Sequence, residues 1–424
     1  MTEITQSAAP AENAGPYRWA LIAMLWLVCF CNYGDRQAIF SIFPLLRSDL
    51  HLTDIQLGVV ASSFMWMYAL AGPLAGWLSD RVSPRTVILG ALAFWSAVTA
   101  ATAACHSFGP MVFFRTLGGL GEAFYFPAAM ALIGMYHGTK TRSRAMALHQ
   151  SSVYAGTIGG GALSAAIAQD HGWRLSFVLF GAAGIALMLI LLFCLRRPPA
   201  SALLTETTTD QGFFTGVIDV LSRGRVLTLI AVFVGANFVA VVFLTWLPTF
   251  LFTKFHLTLA NAGFSSTAYL QMASVTGVLL GGVLADRFAT HKPGGRQLFQ
   301  ACGLLLGVPF IFLTGWSLTM TGLILGMIGF GFFKGMYDAN IWASLYDVIP
   351  VERRGVAAGT MNSLGWLGGG FAPILIAAAA THFGLSACLS ATSLIYLALA
   401  IVLFALVNNM RSQNIEPHKP EPAS

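Results

Sequence analysis

Gly76-Trp77-Leu78-Ser79-Asp80-Arg81 and, much later in the chain, Gly282-Val283-Leu284-Ala285-Asp286-Arg287 are two copies of one short loop, each placed where a long apolar run ends. A second pair of marks keeps the same order: Tyr136…Arg144 follows the fourth apolar run and Tyr346…Arg354 follows the tenth. Recurrence of both marks at equivalent places divides the chain into two parallel halves of six spans. Between them, Arg197 to Ser222 is the one long polar stretch, with Pro198-Pro199 and the Thr-rich run Glu206-Thr207-Thr208-Thr209-Asp210. It reads as a linker. Within it Phe213, Phe214, Val217, Ile218 and Leu221 have helical spacing and predict a short surface helix.

What surrounds the loops settles the class. Hydrophobic residues make up 56% of the 424 and charged residues only 9%, and the mean hydropathy is +0.73. The apolar runs reach the ~20 residues that a helix needs to cross a hydrocarbon layer of ~30 Å. They fall at 17–46, 54–80, 84–105, 108–136, 143–169, 173–196, 224–253, 260–288, 296–315, 317–347, 353–380 and 384–408. Lipid offers backbone groups no partner, so each is a helix. The expectation is an all-α membrane protein of twelve transmembrane helices in two pseudo-symmetric six-helix bundles, 17–197 and 223–408. A disordered tail at 1–16, a cytoplasmic linker at 198–222 and a cytoplasmic tail at 409–424 complete it. Met1 to Pro16 has no basic n-region and no small-residue cleavage site, so an uncleaved first span is expected.

Loop arginines and lysines cluster on the side of the termini; only Arg47, Arg174 and Lys254 lie on the other. Both termini are therefore expected in the cytoplasm. The net charge of +6 follows from that topology and leaves no basic footprint for nucleic acid. The cysteines lie in or at the ends of apolar spans with no CxxC pair and no His/Cys metal spacing, so no metal, disulfide or cofactor is expected. Short loops without an Asn-x-Ser/Thr acceptor favour a bacterial inner membrane.

Three basic side chains fall inside spans: Arg36, Arg115 and Lys334. Each costs at least ~2.5–3.5 kcal/mol to insert, so their retention signals use. Arg36 sits in Asn32-Tyr33-Gly34-Asp35-Arg36, where consecutive residues point about 100° apart and need not pair with each other. Arg115 and Glu122 are seven apart, on one face at a rise of ~10 Å, with Gly118, Gly119 and Gly121 thinning the helix between them. This set reads either as a proton and anion pathway or as an ion-pair network tying the first and fourth spans. Lys334 and Asp338, four apart, form a self-satisfied pair or a pocket. Tyr125 and Asn362 line a cavity or make interhelical contacts, and His149 belongs to a relay or to the packing.

The doubled Gly-x-Leu-(Ser/Ala)-Asp-Arg loop, the Pro84-Arg85 that follows its first copy and the twelve spans resemble the major facilitator superfamily over essentially the whole chain. Asn32-Tyr33-Gly34-Asp35-Arg36, Arg115-Thr116-Leu117-Gly118-Gly119-Leu120-Gly121-Glu122-Ala123 and Gly172-Trp173-Arg174 are similar to the anion:cation symporter family and the related spinster-like lipid transporters. The resemblance implies alternating access, proton coupling at Asp35 and Glu122, and substrate contact at Arg36 and Arg115. Asn32, Tyr33, Tyr125, Lys334, Asp338 and Asn362 are further candidates for that contact. Asp80, Arg81, Arg85, Asp286 and Arg287 are expected to gate, as a latch, against a plainer role as positive-inside anchors.

No Walker loop and no soluble domain large enough for ATP hydrolysis are present, so a gradient must supply the energy. A serine/histidine/aspartate arrangement is likewise missing, and an integral-membrane enzyme is left a remote alternative. The expected function is a monomeric, proton-coupled carrier of a small organic anion such as a sugar acid. The alternative is a spinster-like exporter of lysophospholipid.

Overall fold

The computed structural model describes residues 15–79, 81–138, 141–196, 213–289, 294–350 and 353–415. Every element among them is a helix: α1 Tyr17–Ser41, α2 Phe43–Leu50, α3 Asp54–Ser79, α4 Pro84–Thr102, α5 Phe108–Ala123, α6 Tyr125–Tyr136, α7 Arg142–His171 and α8 Trp173–Cys194 in the first half, then α9 Phe213–Ser222, α10 Gly224–Lys254, α11 Leu259–Ala289, α12 Gly295–Trp316, α13 Met320–Val348, α14 Arg354–Gly369 and α15 Ala372–Ile415. The twelve expected spans are all accounted for. The first is α1 with α2, the fourth is α5 with α6, and the eleventh is α14 with the start of α15, which breaks at Gly384 before the twelfth. The short helix expected in the linker is α9; the rest of the linker before it, and the chain before residue 15 and after 415, lie outside the described residues. The last helix continues to Ile415, beyond the apolar bound at 408, because hydropathy marks where a helix leaves the lipid and not where it ends.

The structure adds a third pair of marks to the repeat. Gly172, between α7 and α8, has φ +84°, and Gly384, inside α15, has φ +77°. With ψ of 154° and 152°, both sit in a region that essentially only glycine occupies, and each turns one helix into the next at the equivalent junction of its half.

Two compact units emerge. Unit 1 holds the described residues of Met1–Asp210 together with Val241–Ala268 and Gly369–Ala378; unit 2 holds those of Gln211–Ala240, Tyr269–Gly368 and Ala379–Ser424. In unit 1, α1 and α7 meet backbone to backbone: a Cβ at Gly156 would stand 2.6 Å from Phe30 O, and one at Gly160 would overlap Gly34. α5 meets α3 in the same way, Gly119 lying against the Phe64 carbonyl. Unit 2 repeats the device, with Gly331 against Leu270 O and Gly335 against Ser274 O where α13 crosses α11. Lipid gives no hydrophobic reward for helix association, so such small-residue contacts carry the packing.

Gly160→Ala should therefore destabilise the protein by about 1–3 kcal/mol in a thermal unfolding measurement in detergent. Gly134→Ala, the same change where nothing lies within 4 Å, should move stability by less than ~1 kcal/mol.

Candidate functional site

In unit 1 α7 packs closely on α1 and α5 on α3, and charged residues lie buried among these helices. Asp35, Arg36, Arg115 and Glu122 are all buried, none more than 6% exposed. Asp35 and Arg36 diverge as neighbours on a helix must. Arg36 turns to α5, donating from Nε and Nη2 to Glu122 Oε2 at 3.3 and 3.1 Å, and reaches Asn32 Oδ1, one turn back, at 3.5 Å. Asp35 turns to α4, where the Thr99 hydroxyl donates to Oδ2 at 3.4 Å.

The Glu122 carboxylate, on the α5 face it shares with Arg115, makes its salt bridge with Arg36. Seven residues of helix separate Glu122 from Arg115 by about 10 Å along the axis, and α1 delivers Arg36 much nearer. The pair ties the first and fourth spans together, as the ion-pair reading required. Arg115 is left otherwise: its Nε and Nη2 are buried without a hydrogen-bond partner, as is Asp35 Oδ1.

Aromatic rings hold the two guanidiniums. Arg36 Cζ lies 4.7 Å from the Tyr33 ring centroid, 5.0 Å from Phe64 and 4.5 Å from Tyr68; Arg115 Cζ lies 4.5 Å from Phe64. One phenyl ring thus serves both cations, and cation–π attraction offsets part of their desolvation. Phe64 and Thr99 carry no signal in the sequence. Phe64 is one phenylalanine of 32, and only the seating of Gly119 on its carbonyl places its ring between the arginines.

The remaining candidates divide. Tyr125 is buried, donating its hydroxyl to Leu25 O at 2.6 Å and meeting His149 Nε2 at 2.8 Å, so both contacts are with protein groups. Lys334 and Asp338 pair one turn apart on α13 in unit 2, beside the buried Tyr337, whose hydroxyl has no hydrogen-bond partner. Asn362 is half-buried on α14. Among the gating residues, Arg85 donates from Nε to Leu195 O at 2.5 Å and from Nη2 to Leu192 O at 2.6 Å. It thereby caps the carbonyl end of α8, where a cation is favoured. Arg81 packs over Trp77 at 4.5 Å and donates to its carbonyl at 3.3 Å. Arg287 is exposed on α11, while Asp80 and the Asp286 side chain lie outside the described residues.

At the end of unit 1 remote from Tyr17, Asp49 Oδ2 accepts from Trp173 Nε1 at 2.8 Å and from Arg174 Nη1 at 2.5 Å. The Trp173 hydrogen bond and the Arg174 guanidinium hold the Asp49 carboxyl below the usual carboxylate range. Gly172-Trp173-Arg174 therefore fastens the sixth span to α2.

The family model of the Major Facilitator Superfamily matches residues 25–373 and 251–424. The probable galactarate/D-glucarate transporter GudP of Escherichia coli (strain K12) is 25% identical over 410 residues, 89% of this chain and 90% of that protein. The D-galactonate transporter of Escherichia coli O6:H1 is 26% identical over 426 residues, 95% of this chain and 98% of that one. Among solved structures, a bacterial homologue of the human lysosomal transporter spinster, in an inward-facing and unoccupied conformation, superposes with a TM-score of 0.81 over 95% of this chain and 99% of its own. At 21% identity that likeness is one of fold.

The pairing pattern has a measurable consequence in the ligand-free protein. Glu122→Gln removes the salt-bridge partner of Arg36 and should destabilise by about 3–5 kcal/mol, a larger loss than that of Arg115→Met, which breaks no salt bridge among the described residues. Thermal unfolding of the purified variants without added ligand checks the order.

Proposed function

Because the chain belongs to the major facilitator superfamily, we propose that it is a proton-coupled secondary transporter that imports a small organic anion, a sugar acid or similar carboxylate, by alternating access. It works as a monomer in a bacterial inner membrane with both termini in the cytoplasm. One observation carries the substrate class: Arg115 is buried with two guanidinium nitrogens unmet. An ionised group in that condition is costly, and a planar fork of donors is best satisfied by a carboxylate binding two of them at once. The names of the two relatives, both transporters of sugar acids, support the same class.

The arrangement supplies a coupling mechanism. Without substrate, Glu122 is paired with Arg36, and Asp35 stands close by with one oxygen bonded and one unmet. A substrate carboxylate arriving at the arginines brings a third negative charge into the same small volume. Uptake of a proton by Asp35 or Glu122 restores the balance, so proton and anion bind more tightly together than apart, and linkage makes the effect reciprocal. Asp35 is the principal proton carrier and Glu122 connects it to the arginines, with the two carboxyls titrating as a unit. Release reverses the sequence once the site faces the cytoplasm.

Proteoliposomes with an inward proton gradient as the only driving force test this. The wild type should accumulate the sugar acid, more strongly as the outside pH falls; Asp35→Asn should lose accumulation but keep exchange of substrate for substrate. Arg36→Lys and Arg115→Lys should each impair uptake, because an ammonium cannot reproduce the bidentate fork. Gradient-driven accumulation that persists in Asp35→Asn/Glu122→Gln would remove carboxylate coupling.

A further inference from the structure

One residue beyond the charged pair, Gln37 is 2% exposed in the interior of unit 1. Its Nε2 donates to the backbone carbonyl of Leu244 on α10 at 3.0 Å. That carbonyl is special for a reason written in the sequence. Pro248 lies inside α10 and has no N–H, so the carbonyl four residues earlier, which is Leu244, loses its helical donor. A side-chain amide from α1 replaces it. In a membrane interior an unmet carbonyl is expensive, so this bond has a strong reason to form wherever α1 and α10 are in contact.

The surroundings show where the contact lies. A Cβ at Gly161 of α7 would stand 3.3 Å from Gln37 Cγ, 3.1 Å from Ser41 Oγ and 3.1 Å from the Gly263 carbonyl of α11. On the same side Trp246 Nε1 donates to Pro373 O at 3.1 Å, and the Trp246 and Phe43 rings meet edge to face at 5.6 Å. Gln169 Oε1 accepts from Ala260 N at 3.1 Å nearby. The end of α10 and the starts of α11 and α15, all part of unit 1, thus pack on α1, α2 and α7 at the end carrying Arg47 and Arg174, the outer end by the distribution of basic loops.

We propose that Gln37 is the positioning residue that couples the charged turn of α1 to closure of this outer end, through the carbonyl that Pro248 leaves free. It follows Asp35 and Arg36 directly, so a shift of that turn when proton and anion bind moves the donor relative to Leu244. On the transporter reading above, the bond forms as the outer end closes and breaks as it opens, once per cycle. Pro248 makes the closure depend on α1: with its donor in place within α10, the Leu244 carbonyl would not need Gln37.

The test labels a cysteine-free form carrying Ala262→Cys with a membrane-impermeant maleimide added outside intact cells. Ala262 is 1% exposed beside the Gly161–Gly263 crossing, so it reacts only when the outer end opens. Gln37→Met, which keeps length and loses the donor, should speed labelling about fivefold, the size expected for one net hydrogen bond. Pro248→Ala should speed it similarly by supplying a helical donor to Leu244, and the two together should give about fivefold again, not the ~25-fold of independent effects. Gln37→Leu, which also lacks a donor, should behave as Gln37→Met and serves if the methionine variant does not reach the membrane. Labelling of both Gln37 variants at the parent rate, or multiplication of the two effects, would overturn the proposal. No substrate is added, so its failure leaves the sugar-acid reading standing, and loss of that reading leaves the clasp standing.

Discussion

The ion pair between Arg36 and Glu122 is the interaction on which the interior of unit 1 depends. Two charges taken out of water repay their desolvation only when geometry is good and the remaining donors are met. The neighbouring features meet that demand: Asn32 one turn back, the cage of Tyr33, Phe64 and Tyr68, and the glycines that let α7 approach α1 and α5 approach α3. A pair fully satisfied in itself would be a structural rivet. Here the second arginine lies on the same phenyl ring with Nε and Nη2 lacking a hydrogen-bond partner, and it is from those two nitrogens that the proposal of an anion site is drawn.

The same accounting applies to the backbone. A membrane helix that gives up one hydrogen bond must find a substitute, and Pro248 and Gln37 are the two sides of such an exchange. Glycine does the opposite work, letting carbonyls come close to a neighbouring helix with no side chain between, as at Gly119 on Phe64 and Gly331 on Leu270. Proximity in one place and a free acceptor in another arise from one constraint, the absence of water as an alternative partner.

Much of this was legible in the chain. Twelve apolar runs and a doubled loop are one-dimensional patterns that lipid converts directly into helices and halves. The divergence of Asp35 from Arg36 and the shared face of Arg115 and Glu122 follow from helical period alone. What period cannot show is which face meets which: Glu122 found Arg36 on another helix in place of Arg115 on its own. Phe64 and Thr99 were invisible because their types are ordinary in a membrane span. Gly172 was noticed as part of a motif, but its equivalence to Gly384 is a matter of backbone angle, which the letters around Gly384 do not reveal. Gln37 stands next to the charges with no signal of its own in the sequence, since the carbonyl it meets is left free by a proline about two hundred residues away.

The claim that the unmet Arg115 awaits a carboxylate is tested most directly by ligand stabilisation of the purified protein. A cognate sugar acid at 100 times its dissociation constant should raise stability by ~2.7 kcal/mol. The corresponding uncharged sugar alcohol should not, and the gain should vanish in Arg115→Met. Stabilisation by lysophospholipid but by none of the acids, or an undiminished gain in Arg115→Met, would contradict it.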